Sequence, residues 1–480
     1  MSIIAAVAFI VLLILSVPIA HALLMASGVA MLQEEPMFLF EAILNLYQPT
    51  SSFPMLAIPF FILAGDIMMS GRFGEYLVNF SKMLVGWMKG GLAQVSVLGS
   101  LFFGGVSGSA VADASALGNA LIPVQKRQGY PDGFPSAVNA ATSTISVLIP
   151  PSIPLILYGL ITETSIPKLF IAGIVPGIIL TVLFFLCCYV IAQIRDLPRS
   201  PVEPESSFEL SALFDARDLA IIIAANILLG LLYFGDILGG LQIFAAALAM
   251  MAIHLRLLSR RFALRKVPAQ LWRAIPALLM PLLVVILARG GVVTPTEISV
   301  FAVAYAIIVG AFVYRDLTLP RFLGCVLSAG MMTGVIMLVI MSSSVLQWIL
   351  TFESVPENLA NWMLDTLQEP WAIILGMNLL MIVIGTFLDL PAAVLLLAPI
   401  FAGVAPHVGI DQVQLGVMMV VNLAIGLYTP PVGTTLFVSL AIERVPMSKI
   451  VFQLWPFYLV AITLLALVSF YPAFSTFLIG

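Results

Sequence analysis

Long uncharged apolar runs constrain this chain more than any other feature. Residues 3–31 carry no charge apart from a possible one on His21, and 169–194, 218–253 and 371–388 are similarly apolar. A helix that spans a bilayer needs about 20 such residues. Only 9% of the chain is charged against 61% apolar, where a soluble domain carries roughly 25% charged residues. Within lipid, backbone polar groups must be satisfied internally, so runs of this length imply helices. The expectation is an all-α, polytopic membrane protein in a lipid bilayer, with about twelve to fourteen membrane segments. The first apolar run lacks a basic leader and is followed by further spans, so it reads as a membrane segment and not as a removable signal peptide.

The distribution of positive charge is more informative than the net charge of −4. Arg256, Arg260, Arg261, Arg265, Lys266 and Arg273 crowd one short connection. By the positive-inside rule that connection is cytoplasmic; in so apolar a chain it does not read as a nucleic-acid patch. Cys187, Cys188 and Cys325 sit in apolar spans without metal-ligand spacing and read as small apolar fillers. His21, His254 and His407 are scattered.

The most polar stretch, RDLPRSPVEPESSFELSALFDAR at 195–217, reads as a central linker. Residues 218–256 read as a helical hairpin turning at Gly235-Asp236 and Gly239-Gly240. These divide the chain into 1–195, a linker with inserted hairpin at 196–272, and 273–480. The two sides resemble each other at their most unusual points. Asp113 is followed by Pro123 and Asp389 by Pro399, ten residues on in each case. Asn139 precedes Pro150-Pro151, and Asn422 precedes Pro430-Pro431. From Asp113 to Pro150 is 37 residues; from Asp389 to Pro430 is 41. Internal repeats with Gly/Pro-interrupted apolar segments at matching positions point to a secondary transporter. A broken helix in lipid leaves N–H and C=O groups unpaired at a cost of several kcal/mol each. Such breaks persist where an ion or an anionic substrate takes those groups.

The stretch GGVSGSAVADASALGNALIP at 104–123 is rich in small residues and is too short for two full crossings. It reads as a re-entrant hairpin, about 101–124, with its tip near Ser107-Gly108-Ser109; the alternative is a small-residue packing face. Asp113 is a carboxylate in an apolar region, which by default marks a functional site. It could ligate a cation, take up a proton or cap the second arm. Asp389 carries the same ambiguity in a second hairpin at about 372–405. In NAATSTISVLIPPSIPLILY, 139–158, Thr142, Ser143, Thr144, Ser146 and Ser152 surround the double proline. Pro151 donates no N–H and crowds the preceding turn, so a helix at about 136–160 unwinds there. Carbonyls freed near Ser146, Ile149 and Pro150 can bind a hard cation alongside hydroxyls. In NLAIGLYTPPVGTTLFV, within a helix at about 414–440, Gly426, Thr429, Pro430, Gly433 and Thr434 take the equivalent part. GGVVTPTE, 290–297, reads as a helix start: Thr294 as N-cap, Pro295 at the first position and Glu297 completing a capping box.

At these residues the chain resembles the large membrane subunit of tripartite ATP-independent periplasmic (TRAP) transporters, the DctM/SiaM type. The resemblance runs through FILAGDIM (61–68), GVSGSAVADASALG (105–118), LIPPSIPLILYG (148–159), GGVVTPTE, GTFLD (385–389), NLAIGLYTPPVGTTLFV and WPFYLV (455–460). It departs at Ser143 or Ser146, where that family usually carries glycine, and in a longer connection at about 197–256. The resemblance implies the ion-transporter superfamily fold: two inverted repeats, each with a re-entrant hairpin, working as an elevator in a bacterial cell inner (cytoplasmic) membrane. It implies sodium ions between each hairpin tip and the facing unwound helix, with no organic cofactor. One sodium site would involve Ser107, Ser109, Ser146, Ile149 and Pro150; the other, Gly385, Thr386, Gly426, Thr429 and Gly433. The substrate would lie between the tips, near Ser107, Gly108, Ser109, Asp113, Ser152, Asp389 and Thr434. Implied partners are a small TRAP membrane subunit and a periplasmic substrate-binding protein that delivers an organic acid.

The expected function is therefore sodium-coupled transport of an organic anion, with dicarboxylates, keto acids, sugar acids and sialic acid all open. No GxxxxGK[ST] loop is present, so the energy must come from an ion gradient or a partner chain. A proton-coupled or passive permease is the alternative. A remote one is an intramembrane aspartyl protease using Asp113 and Asp389, but neither stands in a Gly-x-Gly-Asp context, and the paired double prolines would then have no role. The expectation is a protein that is not an enzyme.

Overall fold

The computed structural model describes residues 1–15, 17–32, 36–199, 269–290, 293–367 and 369–479. The expected linker and inserted hairpin, apart from their first and last few residues, lie outside the described residues, with His254 and the basic cluster up to Lys266.

The described elements are all helices. In order they are α1 (Ser2–Ile14), α2 (Ile19–Met31), α3 (Pro36–Tyr47), α4 (Ala57–Ser70), α5 (Phe73–Val85), α6 (Gly91–Ser107), α7 (Ala110–Arg127), α8 (Phe134–Thr142), α9 (Ile153–Ile161) and α10 (Ile166–Ile194). Beyond residue 268 follow α11 (Ala269–Gly290), α12 (Pro295–Ile308), α13 (Leu319–Phe352), α14 (Val355–Leu367), α15 (Pro370–Gly385), α16 (Leu390–Val404), α17 (Gln412–Gly426), α18 (Thr434–Glu443) and α19 (Met447–Phe470). Among the described residues, seven helices are long and apolar enough to cross a membrane. This is fewer than the apolar runs suggest. Several runs are instead hairpin arms or halves of broken helices, and α6, α15, α17 and α18 are too short to cross alone.

The order α5–α10 is repeated by α14–α19: an amphipathic helix, a two-armed hairpin, a helix broken in mid-course and a helix that runs on unbroken. The two sets enter from opposite ends. Lys126 Nζ donates to the Glu443 carbonyl at 3.0 Å, Lys449 pairs with Asp132 at 2.7 Å and Arg195 bonds Gln453. These contacts gather the open end of the α6–α7 hairpin, the start of α8, the end of α10 and the start of α19. At the other end Tyr158 OH donates to the Gln412 carbonyl at 2.8 Å, and Gln412 Nε2 donates to the Ala402 carbonyl at 2.9 Å. There the open end of the α15–α16 hairpin meets the end of α9 and the start of α17. The architecture is thus two inverted repeats.

Two groups of helices pack along a seam. α2, α3, α4, α12 and α13 pack on one another, while the hairpins, broken helices, α10 and α19 form the other group. The seam is closed by α4 against α6 and by α13 against α16. Thr294 caps α12 with the full capping box, Glu297 Oε2 accepting the Thr294 N–H at 2.7 Å. The first hairpin extends beyond 101–124 at both ends, because the polar residues of α6 do not stop it. Ser96 Oγ donates to the Leu92 carbonyl and Gln94 Nε2 to the Phe185 carbonyl, both at 3.2 Å. A side chain satisfied in this way no longer competes with the helical backbone.

Candidate functional site

The α6–α7 turn is two residues long. Gly108 has φ +58, and a β-carbon there would stand 2.1 Å from the Pro151 carbonyl oxygen. Glycine takes that left-handed conformation without steric cost, and here it also lets the tip abut the double proline backbone to backbone. One turn back, a β-carbon on Gly104 would stand 2.5 Å from Ser146 Cα. Ser107 Oγ accepts the Ser109 N–H at 3.4 Å, and Ser109 is the N-cap of α7, accepting from Ala112 N–H at 3.4 Å. The facing helix α8 ends at Thr142 and tightens into a 3₁₀ turn over Ser143–Val147. There Ser143, Thr144 and Ser146 donate to the carbonyls of Ala140, Ala141 and Ser143 at 3.0, 2.6 and 2.6 Å. A donating hydroxyl keeps its lone pairs for another partner. Ser152 caps α9, accepting the Leu155 N–H at 3.4 Å and donating to the Val147 carbonyl. Ser146, Ile149, Pro150 and Ser152 are all buried.

The second copy repeats this with different residues. The tip between α15 and α16 carries Thr386, whose carbonyl accepts the Val432 N–H at 3.2 Å. A β-carbon on Gly426 would stand 2.3 Å from the Gly385 carbonyl oxygen, so tip and break again touch through backbone. Thr429 Oγ1 donates to the Ile425 carbonyl at 2.6 Å. Gly433, at φ +34, precedes α18, and Thr434 Oγ1 donates to Asp389 Oδ1 at 3.5 Å. Both double prolines, Pro150-Pro151 and Pro430-Pro431, have cis bonds.

The pairing of Asp113 with Asp389 needs correction. Asp389 is the N-cap of α16, and the N-cap of α7 is Ser109; Asp113 lies one turn further in. Aligned on the caps, Ser109 to Pro150 and Asp389 to Pro430 are both 41 residues (150 − 109 and 430 − 389). The like residue type drew the match to the wrong position. Asp113 is fully buried. Neither of its carboxyl oxygens has a hydrogen-bond partner, and the nearby Ser100 hydroxyl donates to Thr142 at 3.4 Å instead. Asp113 and Asp389 sit in separate hairpins with separate neighbours, Asp389 accepting from Thr434 and Asp113 lying near Ser100.

The two matched asparagines tie each broken helix to its own hairpin. Asn139 Nδ2 donates to the Ala114 carbonyl on α7 at 2.8 Å, and Asn422 Nδ2 donates to Asn378 Oδ1 on α15 at 2.8 Å. Glu443, at the end of α18, accepts the N–H groups of Gly133 and Ser136 at 2.7 and 2.9 Å. A buried carboxylate at the start of α8 suits the positive end of that helix.

A cavity of about 740 Å³ opens on the seam, within the range of small-molecule sites. Ser107, Gly108, Ser109 and Asp389 line it. Asp113, Ser152 and Thr434 do not. The starts of α7, α9 and α16 reach it through Ala110, Ile153 and Leu390, bringing three positive helix ends to one place. The opposite wall is formed by residues that sequence reasoning missed: His21 on α2, Asp66 on α4 and Ser328 on α13. Gly65, beside Asp66, would place a β-carbon 3.3 Å from the Val106 carbonyl oxygen, so α4 meets the first tip closely. Asp66 carried the same signal as Asp113, a carboxylate inside an apolar run. Hydroxyls and carbonyls gathered at both breaks are the oxygen-only donors that a hard cation takes. The glycines bring tip and break into backbone contact at both places.

A family model described as tripartite ATP-independent periplasmic transporter, DctM component, matches residues 6–474. The uncharacterized protein y4mL of Sinorhizobium fredii is 40% identical over 477 residues, covering 99% of this chain and 100% of that one. The C4-dicarboxylate TRAP transporter large permease protein DctM of Pseudomonas aeruginosa is 32% identical, covering 90% of this chain and 87% of its own. The sialic acid TRAP transporter large permease protein SiaM of Vibrio cholerae is also 32% identical, covering 89% and 86%. Among solved structures, the Alcanivorax borkumensis YdaH transporter is similar in fold, with TM-score 0.54 at 14% identity, covering 92% of this chain and 90% of that one.

Proposed function

Because the chain belongs to the DctM-component family of tripartite ATP-independent periplasmic transporters, we propose that it is a sodium-coupled permease for an organic acid anion. In this reading it works with a small membrane subunit and receives substrate from a periplasmic binding protein, in the bacterial inner membrane. The observation that carries the reading is the duplicated contact of a hairpin tip with a broken helix, at Gly108 against Pro151 and at Thr386 against Val432. Ser107, Ser109, Ser146, Ile149 and Pro150 would hold one ion; Gly385, Thr386, Gly426, Thr429 and Gly433 would hold the other. Bound sodium supplies positive charge beside the tips. The chain's own helix starts at Ala110, Ile153 and Leu390 orient a carboxylate in the cavity.

The seam supports an elevator, in which the hairpins and broken helices slide as one body against α2, α4, α12 and α13. The end that gathers Lys89, Lys126, Arg195 and Lys449 faces the cytoplasm under the positive-inside rule. That puts the open end of the second hairpin, with Asp411 and Glu369, on the periplasmic side. The relatives are named for C4-dicarboxylate and sialic acid transport, which supports an organic acid without choosing one. The test is uptake by the complex reconstituted in proteoliposomes with its binding protein. Uptake should collapse when the sodium gradient is removed. Equal uptake driven by a proton gradient alone refutes sodium coupling, and turns attention to the unpartnered carboxyl of Asp113.

A further inference from the structure

The seam cavity also carries information about substrate class, and this inference rests on the organic-anion reading above. Its two sides differ in chemistry. Hairpin tips and helix starts make one side polar, with Ser107, Ser109 and the N–H groups that begin α7, α9 and α16. Opposite them, α13 is hydrocarbon apart from Ser328, with His21 of α2 and Asp66 of α4 beside it. Met332, Val335, Ile336 and Val339 form a continuous stripe along α13, joined by Ile62 of α4 and Leu427. Met332 and Val335 line the cavity and are not covered by other parts of the chain.

Guanidinium and ammonium groups are absent from the lining. Among the described residues that line the cavity the ionisable side chains are Asp66, Asp389 and His21, with no lysine or arginine. Asp389 Oδ1 has a hydrogen bond from Thr434, while Asp66 Oδ2 is buried without one. A dicarboxylate seated with one end at the helix starts would turn its second carboxylate toward this remaining wall. There it would find no guanidinium or ammonium to pair with, the usual means of holding a carboxylate, and a single imidazole, that of His21. Along α13 it would instead lose hydration against valine, isoleucine and methionine. Leaving a charge desolvated and unpaired is strongly unfavourable. A sugar acid has many hydroxyls to satisfy, and the α13 wall offers few partners beyond Ser328.

We infer that the cavity is built for monocarboxylates with an apolar body, the carboxylate at the helix starts and the hydrocarbon against Met332, Val335 and Val339 of α13. Selectivity would then reside in the permease wall, in addition to any choice that a delivering protein makes.

The test uses the large subunit purified with its small membrane partner in lipid nanodiscs, in sodium-containing buffer at neutral pH. Acetate, butanoate, hexanoate and succinate are titrated by calorimetry. Affinity should rise with chain length by about fourfold for each methylene buried, and butanoate should bind more tightly than succinate, which has the same number of carbons and one more charge. Val335→Thr, which replaces a methyl by a hydroxyl at the same shape, should weaken hexanoate more than acetate. Tighter binding of succinate than butanoate, or affinity indifferent to chain length, overturns the inference and leaves the organic-anion reading standing. Equal weakening of acetate and hexanoate by Val335→Thr likewise overturns the inference, because the hydrocarbon then does not lie on α13. Binding of none of the four acids overturns this inference alone; the organic-anion reading stands or falls on uptake with the binding protein.

Discussion

Gly108 and Gly129 allow the cost of one contact to be separated from the cost of one backbone conformation. Both have positive φ, +58 and +85, but a β-carbon on Gly129 would meet nothing within 4 Å. Each alanine substitution carries the left-handed penalty of about 1–2 kcal/mol. Only Gly108→Ala also drives a methyl into the Pro151 carbonyl, so it should abolish uptake and lower the melting temperature further than Gly129→Ala. Equal effects of the two would mean that the first tip and the double proline are not held together in the native protein. Glu443 offers a second residue-scale test. It is 3% exposed and satisfies two N–H groups at the start of α8. Glu443→Ala should cost about 1–3 kcal/mol by stranding those donors, and Glu443→Gln, which retains an acceptor, should cost less in chemical denaturation.

Between elements, the loop before α8 is fastened to the start of α19 by Asp132 and Lys449, 2.7 Å apart and half exposed. The ammonium of Lys449 holds the Asp132 carboxyl below its ordinary range. A lowered folded value means that the pair's contribution is fully present above the ordinary range of aspartate, about pH 4. It is lost as pH falls through the lowered value. Asp132→Asn should therefore remove a small part of the acid-side decline in stability and change nothing in how stability depends on pH near neutrality. The amplitude is small because exposed pairs contribute little. The same scale shows where sequence reading succeeded and where it slipped. The double prolines and the glycines around them marked both breaks, because proline's missing N–H and glycine's missing β-carbon act locally. The register between repeats slipped because a cap can be a serine in one copy and an aspartate in the other. Equivalence is set by position at a helix start, and residue type alone does not report it.

For the molecule as a whole, the elevator reading requires the first hairpin tip to leave α4 during transport. Gly65 stands against Val106 and Ser107 here, its virtual β-carbon 3.4 Å from Ser107 Cα. In a background lacking Cys187, Cys188 and Cys325, the pair Gly65→Cys and Ser107→Cys should form a disulfide under oxidation. Uptake should stop, and return on reduction. Full-rate uptake by the cross-linked protein would show that tip and α4 stay together throughout the cycle, and a different motion would be needed.

What the sequence determined by itself was the environment and the breaks. Long runs of uncharged residues imply helices in lipid, and the Pro-Pro segments mark where helices break. Family membership followed from the same motifs. What the tertiary structure alone decided was partnership across the seam. No local pattern couples Asp66 and Ser328 to a tip more than 40 residues away from either in the chain, and nothing in an apolar stretch tells a cavity wall from a lipid-facing one. Met332 and Val335 read as ordinary membrane residues until the packing of α13 across from the hairpins turns that face inward.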